Sequence, residues 1–353
     1  MSALPVDGAP ADTEPPGDLR LFELPPEEAE AARPVRWRPA VPRRPQARRA
    51  PRRPAPHLLV VDGNALAHRV YHAVGGDDAP ELDAVERFLT MLSRHAATAR
   101  PTAFVVGFDD PERSVRRELH ADYKAQRPAK SASLKHFLDR IPGVLTDLGL
   151  CVVVPPGLEA DDVLGSGAEL ARRRCVPATL VTGDRDAFAL VCATVNVWLL
   201  GNGGSTARVA PSYLGTNYGV GPAAYADFAA LRGDASDNLG GVRGIGAMTA
   251  ARLLAAYPSV DAAYDDPAGV HRLLGPYLAR VLLDQRDVFE HNREVMCIRT
   301  DIPLDLDACT RPLDRGPVTG TLAEFGLEDI ADRLLGSFSA LGRAAWRRPP
   351  PGA

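Results

Sequence analysis

The sequence has 353 residues, with 45 acidic and 41 basic side chains and a net charge of −4. This length is enough for a full hydrophobic core and for two domains. No apolar run approaches the roughly 20 residues of a membrane-spanning helix, and no basic-then-apolar signal segment opens the chain. We therefore expect a protein without membrane association.

The five cysteines are odd in number, scattered, and without a Cys-x-x-Cys pair. This pattern predicts reduced thiols in a cytoplasmic protein, with no zinc site.

Residues 1–56 are rich in proline and alanine and lack apolar periodicity, so we expect them to be disordered. Nine arginines and no acid lie between Arg33 and Arg53. This basic arm could touch nucleic acid electrostatically, or it could be a solvated linker without a fixed partner. The sequence favours neither interpretation.

Order is predicted from His57 onward, where short apolar runs alternate with helical patterns. The first run, Leu58 to Val61, ends in Asp62 and precedes a helical pattern through Tyr71. A helix is expected from about Leu82 to Thr98. The next runs are residues 102–108, which end in Asp109; 151–154, before Glu159; 179–181, before Asp184; and 195–199.

Strands that alternate with helices predict a parallel α/β sheet, in which ligands bind beyond the carboxyl ends of the strands. Four successive strand ends carry acids, at Asp62, Asp109, the Glu159 cluster and the Asp184/Asp186 pair. A single such acid is usually a helix cap or a turn residue. Four in a row predict an anionic edge whose oxygen ligands suit Mg²⁺ or Mn²⁺.

The stretch from Glu159 to Asp162 holds three carboxylates in four residues, where a strand leads into a helix. These carboxylates repel one another, and a divalent metal would relieve that repulsion. Taken alone, the stretch could equally be a solvated acidic first turn.

Between Asp110 and Lys135 the charge turns positive, and Tyr123, Lys124 and Arg127 lie in this stretch. Cations beside an acidic metal site suit a polyanionic substrate, and Tyr123 could stack on a base. The alternative is an ordinary charged helix face.

After Ala210 the sequence becomes helical, with glycines between the helical patterns. Residues 240–246 form a Gly-rich turn before a helix expected from Ala247 to Tyr257. Such a turn can offer backbone N–H groups to a phosphate, although a purely structural turn is the commoner explanation. Beyond about Leu304 the pattern weakens, and the Pro-rich end from Arg343 is expected to fray.

Together these segments resemble the 5′ nuclease family, which includes the 5′-nuclease domain of bacterial DNA polymerase I, phage 5′ exonucleases and flap endonucleases. The resemblance runs from about Leu58 to Leu304. It rests on Val61-Asp62-Gly63-Asn64 with Arg69-Val70-Tyr71-His72-Ala73, Phe108-Asp109, Tyr123-Lys124-Ala125-Gln126-Arg127-Pro128, Glu159-Ala160-Asp161-Asp162, Thr182-Gly183-Asp184-Arg185-Asp186, and the stretch from Gly233 to Ala250.

The resemblance implies a PIN-like (Rossmann-like) parallel sheet with helices on both faces, followed by a helix-3-turn-helix module. It places the catalytic domain at residues 57–210, the DNA-binding module at 211–305 and a partly disordered extension at 306–353. The implied activity is 5′-3′ exonuclease and 5′ flap cleavage of DNA, in replication and repair, by a stand-alone cytoplasmic monomer. Neither a membrane nor a small-molecule substrate is implied.

The resemblance also implies roles for individual residues. Two Mg²⁺ or Mn²⁺ ions would be held, one by Asp62, Asp109, Glu159, Asp161 and Asp162, the other by Asp184, Asp186 and Asp237 with Asp234 nearby. Lys124 and Arg127 would lie by the scissile phosphate, and Tyr123 would stack on the displaced base. The implied DNA contacts are Arg69, Arg116, Gly241, Val242, Gly244, Ile245, Gly246 and Thr249, with K⁺ at the Gly hairpin as in many relatives.

One departure from the family pattern is Met248, where relatives commonly carry lysine. It leaves open a DNA-binding protein without turnover as an alternative to the nuclease. A PIN-type RNase is a third alternative, against which the helix-hairpin module argues.

Overall fold

The computed structural model describes residues 54–201 and 204–346. The arm predicted to be disordered therefore lies outside the described residues up to residue 53, and so does the C-terminus from residue 347.

A six-stranded sheet forms the centre of the fold. Its strands are β1 (Leu58–Asp62), β2 (Ala103–Gly107), β3 (Val152–Val153), β4 (Ala178–Thr182), β5 (Val195–Leu200) and β6 (Thr206–Val209). Their order is β3-β2-β1-β4-β5-β6. The first five run parallel, and β6 pairs antiparallel with β5. The predicted α/β fold with a mostly parallel sheet is thus confirmed.

Two details of the sheet differ from the expectation. Strand β3 has only two residues, because Pro155 and Pro156 follow one residue later and proline cannot donate to a ladder. Strand β6 had no expected counterpart, since three of its four residues are exposed and carry little apolar signal.

Helices cover both faces of the sheet. They are α1 (Gly63–Val74), α2 (Glu81–Ala99), α4 (Ala132–Asp147) and α5 (Ala160–Arg174). A short helix, α3 (Val115–Leu119), lies between β2 and α4 in the chain and has no buried residue. Along β1, Leu58 and Val60 join the core on one face, with side chains of α5, while Leu59 and Val61 join the core on the other face, with α1, α2 and α4. This alternation follows from the two-residue period of a strand.

The second half of the chain is helical around a two-stranded hairpin. The helices are α6 (Pro211–Tyr218), α7 (Tyr225–Arg232), α8 (Ala247–Ala256), α9 (Val260–Tyr264), α10 (Pro267–Leu274), α11 (Pro276–Asp284) and α12 (Arg286–Val295). The hairpin consists of β7 (Gly233–Asp234) and β8 (Leu239–Gly240), which pair antiparallel. The apolar side chains of these helices continue the core that covers one face of the sheet.

Residues 306–341, which belong to the predicted C-terminal extension, are helical. This segment forms α13 (Leu306–Thr310), α14 (Arg315–Ala323) and α15 (Ala331–Ser337). Leu334 and Phe338 are buried in the core, and Phe338 packs on Phe104 with ring centroids 5.0 Å apart. Such short helices depend on tertiary packing rather than on a long periodic pattern, so their sequence signal is weak.

In the described part of the chain, no helix combines the length and apolarity needed to cross a bilayer.

All five cysteines are free, although the sulfur atoms of Cys151 and Cys309 lie 3.6 Å apart.

Candidate active site

Acidic side chains gather at the carboxyl edge of the sheet. Asp62 ends β1, and Asp109 and Asp184 each follow their strand by two residues, while Asp161 lies in the first turn of α5. All four line one open cleft. The structure therefore brings together acids that are up to 122 positions apart in the sequence.

Asp62 is held by two donors. Its Oδ1 accepts from the backbone N–H of Ala65, 2.8 Å away, which caps α1. Its Oδ2 accepts from the hydroxyl of Thr182, 2.7 Å away, and that hydroxyl accepts in turn from the N–H of Asp184. The side chain of Asp62 is thus fixed from β1, α1 and β4 at once.

Asp109 is oriented in the same manner. Its Oδ2 accepts from Nδ2 of Asn64 at 2.7 Å, and its Oδ1 accepts from the N–H of Ala160 at 2.9 Å. Asn64 Oδ1 also accepts from the backbone N–H of Asp109. No role for Asn64 or Thr182 was predicted from the sequence. The only sequence feature that could have indicated one is that each is a polar residue close to an acid at the end of a strand.

The carboxylates of this cluster resist ionisation in the absence of a cation. Burial raises the pKa of Asp62 to about 7, and hydrogen bonds from Ala65 and Thr182 only partly offset that effect. Burial and the charge of Asp184 raise the pKa of Asp161 well above its usual value. Burial likewise raises the pKa of Asp109.

The donor set fits divalent metal ions. Within the described ranges, Oδ1 of Asp161 and Oδ1 of Asp186 are buried without a hydrogen-bond partner, and such atoms call for an explanation such as an ion. The surrounding donors are carboxylate oxygens, which Mg²⁺ and Mn²⁺ prefer. In residues 54–201 and 204–346, no three His, Cys, Asp or Glu side chains already converge on one metal position.

A second group of acids lies between β4 and the β7–β8 hairpin. Burial, followed by repulsion from Asp184, Asp237 and Asp234, raises the pKa of Asp186 well above its usual value. Oδ1 of Asp234 accepts from the backbone N–H and the hydroxyl of Ser236. The structure therefore brings the four predicted ligands of the second metal near one another.

Glu159 and Asp162 form a capping box at the N-terminus of α5. The two oxygens of Asp162 accept from the guanidinium of Arg116, from the N–H of Glu159 and from the N–H of Arg299. Asp162 is fully buried and has the role of a structural anchor, which differs from the metal ligand that the sequence predicted.

The expectation for Arg116 is also corrected. Its guanidinium lies 2.6 Å from Asp162 and 3.2 Å from Glu159, and it donates to the carbonyl of Cys297. Only 15% of its side chain is exposed. The structure thus directs the charge of Arg116 into the protein, and not toward DNA.

Tyr123 is buried, and this overturns the prediction that its ring stacks on a displaced base. The side chain packs with Leu239 and Val295, and only 5% of the residue is exposed. Its hydroxyl donates to Oε2 of Glu159 at 3.1 Å. The ring contributes to the interface between residues 120–127 and the helical half of the chain.

Lys124 and Arg127 lie beside the acids. Nζ of Lys124 donates to Glu159 at 3.0 Å, and Arg127 pairs with Asp237 at 2.6 Å. Burial alone would lower the pKa of Lys124, but Glu159 and Asp237 outweigh it and raise that pKa. Burial would raise the pKa of Glu159, yet Lys124 and Arg116 hold it below its usual value.

The same cleft also carries basic groups. Lys130, Lys135, His68 and His72 line it. Burial and the charge of Lys130 lower the pKa of His68 to about 4, so this imidazole is neutral at physiological pH. Acidic and basic side chains in one cleft suit a phosphate-rich substrate.

Two known family models match most of the chain. Residues 57–219 match the family described as 5′-3′ exonuclease, N-terminal resolvase-like domain. Residues 220–315 match the 5′-3′ exonuclease, C-terminal SAM fold. The chain belongs to the 5′-3′ exonuclease family. The sequence resemblance is thereby confirmed.

Curated relatives agree with this assignment, and solved structures share the fold. The chain is 33% identical over 299 residues to DNA polymerase I of Mycobacterium tuberculosis, an alignment that covers 82% of this chain and 33% of the polymerase. The T5 5′-exonuclease with bound zinc shares the fold at a TM-score of 0.58 and 17% identity, with 81% of this chain and 99% of the phage protein covered. A T5 flap endonuclease complex with DNA and metal ions has a TM-score of 0.55 and 19% identity, with the same coverage.

The chain thus spans about a third of the length of the curated relatives that it matches.

In this 5′-3′ exonuclease family member, the Gly-rich turn of residues 240–246 lies within the region that matches the SAM fold. Val242 and Ile245 are buried and anchor the turn, and the N–H of Val242 donates to the carbonyl of Leu231. Gly244 and Gly246 are exposed, and Thr249 is half-buried. Gly241 packs so closely on residue 232 that a Cβ would come within 2.1 Å of its carbonyl oxygen.

Arg69 is placed differently from the expectation for a DNA contact. Its guanidinium donates to the carbonyls of Leu200, at 2.8 Å, and Gly201. These bonds tie α1 to the end of β5, so the predicted DNA role of Arg69 is not what the structure shows.

Proposed function

We propose that this chain is a divalent-metal-dependent 5′-3′ exonuclease and structure-specific 5′ flap endonuclease that hydrolyses DNA phosphodiester bonds. The observation that carries the proposal is the cluster of buried carboxylates, with Oδ1 of Asp161 and of Asp186 unpartnered among the described residues, beside the cations Lys124 and Arg127. The related T5 flap endonuclease forms a complex with DNA and metal ions, which supports the same substrate and cofactor class.

Two divalent cations would be held by two sets of acids. Asp62, Asp109, Glu159 and Asp161 would hold the first, and Asp184, Asp186, Asp234 and Asp237 the second. Asp162 is left out because Arg116 and two backbone N–H groups already occupy both of its oxygens. When bound, such a pair activates a water and neutralises the leaving oxygen of a phosphoryl transfer, and oxygen-only ligation favours Mg²⁺ or Mn²⁺.

Lys124 and Arg127 supply fixed positive charge at the reacting phosphate. The raised pKa of Lys124, which follows from Glu159 and Asp237, keeps its ammonium protonated across the physiological range. Their present partners are Glu159 and Asp237. Cations bound to the carboxylates would weaken these ion pairs and free both side chains to neutralise charge on the phosphoryl oxygens.

Residues 57–210 would supply most of the catalytic side chains. Residues 211–305 would add Asp234 and Asp237 and would provide the grip on duplex DNA. The exposed Gly244 and Gly246 lie just before α8, so the turn and the first backbone N–H groups of that helix can approach a phosphate without side-chain obstruction. The K⁺ ion expected at this hairpin remains a prediction.

The biological setting follows from the same comparison. Kinship with DNA polymerase I favours a role in replication and repair, on DNA with 5′ ends or flaps. Five free cysteines suit the reducing cytoplasm. We expect the protein to act as a monomer.

Cleavage of a 5′-end-labelled flap duplex tests the function, with Mg²⁺, Mn²⁺ or EDTA and with the variant Asp184→Asn. Asp78→Asn is the matched control, since Asp78 lines the same cleft but is not among the acids of the site. We expect metal-dependent release of short 5′ products by the wild type and the control, and none by Asp184→Asn. A retained flap-specific gel shift without any cleavage by the wild type would point to a DNA-binding protein instead. Preferred cleavage of an RNA flap would favour the RNase.

A further inference from the structure

The hydroxyl of Thr182 links the two predicted metal groups. Thr182 is the last residue of β4 and is completely buried. Its Oγ1 donates to Oδ2 of Asp62 at 2.7 Å and accepts from the backbone N–H of Asp184 at 3.0 Å. One oxygen atom therefore contacts a ligand of the first group and the main chain of a ligand of the second.

The sheet explains why this contact forms. Strands β1 and β4 are parallel neighbours in which Val61 lies opposite Val181, so the next residues along, Asp62 and Thr182, end the two strands side by side. The donor then restricts the rotation of the Asp62 carboxylate, whose other oxygen is held by Ala65. A buried hydroxyl satisfied on both sides is rigid, and rigid outer partners orient metal ligands.

We propose that Thr182 is a positioning residue that holds Asp62 and the backbone of Asp184 in register for two divalent cations. This inference rests on the proposed function. It assigns Thr182 no contact with the metal or with DNA, because the hydroxyl is already engaged by both partners. Its effect on the reaction is carried by the two carboxylates.

A second threonine on the same strand provides a control. Thr179 is also buried, and its hydroxyl contacts Nε2 of His57 at 3.0 Å. It lies three residues before Thr182, near the start of β4, and so toward the opposite end of the strand from the acids. Replacement of either threonine by valine removes a buried hydroxyl at constant volume, but only Thr182 touches a predicted metal ligand.

The experiment is a calorimetric titration of the full chain with Mn²⁺ alone, without DNA, using wild type, T182V, T182S and T179V. We expect T182V to weaken Mn²⁺ binding about 10- to 100-fold, as outer-partner substitutions do. T182S keeps the hydroxyl and should bind close to wild type. T179V should lower Tm without changing the Mn²⁺ affinity.

Wild-type Mn²⁺ affinity in T182V would overturn the inference, as would an equal loss of affinity in T179V. If T182V does not fold, as judged by circular dichroism, T182A takes its place with the same expected loss. Flap cleavage by the wild type separates this inference from the function. A wild type that binds Mn²⁺ and cleaves, together with an unaffected T182V, refutes only the role of Thr182, whereas a wild type that binds no Mn²⁺ and does not cleave refutes both.

Discussion

Arg116 and Asp162 form a buried ion pair, with Nη2 of the guanidinium 2.6 Å from Oδ1 of the carboxylate. The same guanidinium donates to the carbonyl of Cys297, and the same carboxylate accepts from the N–H of Arg299. The pair therefore joins α3, the N-terminus of α5 and the segment after α12. Two residues that the resemblance assigned to DNA and metal instead connect the two halves of the molecule.

Arg116→Ala should destabilise the fold rather than reduce DNA affinity selectively. Removal of one partner leaves Asp162 charged and buried, which typically costs about 3–5 kcal/mol. Arg113→Ala is the matched control, because its side chain is 61% exposed and pairs only with Glu118 at the surface, where a change stays within about 0.5 kcal/mol. Urea unfolding measures both. A wild-type free energy of unfolding for Arg116→Ala would contradict the structural role.

Asp161→Asn should stabilise the metal-free protein at pH 8. Burial and the charge of Asp184 raise the pKa of Asp161 well above its unfolded value of 3.8. Above that unfolded value, ionisation favours the unfolded state, so the wild type loses stability as pH rises. Relief of a half-buried carboxylate, whose Oδ1 is buried without a hydrogen-bond partner, should contribute about 1–3 kcal/mol.

The measurement is unfolding of the wild type and Asp161→Asn in EDTA between pH 4 and 8. The stability gain of the variant should shrink as pH falls toward 3.8, the unfolded pKa of Asp161. A gain independent of pH would show that the carboxylate charge is not its source. The same variant should fail to cleave a flap in Mg²⁺.

Lys124→Ala should lower kcat for flap cleavage more than it weakens DNA binding. Loss of a fixed charge at a reacting phosphate commonly costs about 10²–10³-fold in kcat. Lys135→Ala serves as the control, since Lys135 lines the same cleft but forms no ion pair with the acids among the described residues. Single-turnover cleavage and a binding titration separate the two effects. A pure binding defect in Lys124→Ala would make it a contact that only positions the DNA.

Met248→Lys should strengthen duplex binding. Met248 is 87% exposed in the first turn of α8, directly after the Gly hairpin. An added ammonium there can neutralise one phosphate, which should steepen the salt dependence of binding by about one unit. Met248→Gln keeps a similar length without charge and should match wild type. Equal salt slopes for all three proteins would place this turn away from the DNA backbone.

Phe338→Ala should unfold the protein at lower urea, because the C-terminal helices complete a core. Phe338 is buried against Phe104, and loss of such a side chain costs about 3–5 kcal/mol. Leu283→Ala is the control, since Leu283 is 43% exposed and should change stability by about 0.5 kcal/mol or less. Equal midpoints for the two variants would show that residues 306–341 do not support the sheet.

The sequence by itself determined the sheet and the identity of the acids. Apolar runs that end in Asp62, Asp109 and Asp184 identify buried parallel strands, because such strands are apolar on both faces. Strand polarity then requires their carboxyl ends to share one edge. The motif order also identified the family, since each motif is local in the chain.

Only the tertiary structure decided what each polar group near the site does. A short motif does not reveal which distant partner a side chain will meet, and partners such as Arg116 with Asp162 or Tyr123 with Glu159 are 36 or more positions apart. For the same reason, the contact of Thr182 with Asp62 could not be predicted from the sequence, because the two residues are 120 positions apart. The C-terminal helices were also not predicted, because short helices are stabilised by packing of their apolar side chains on the rest of the fold.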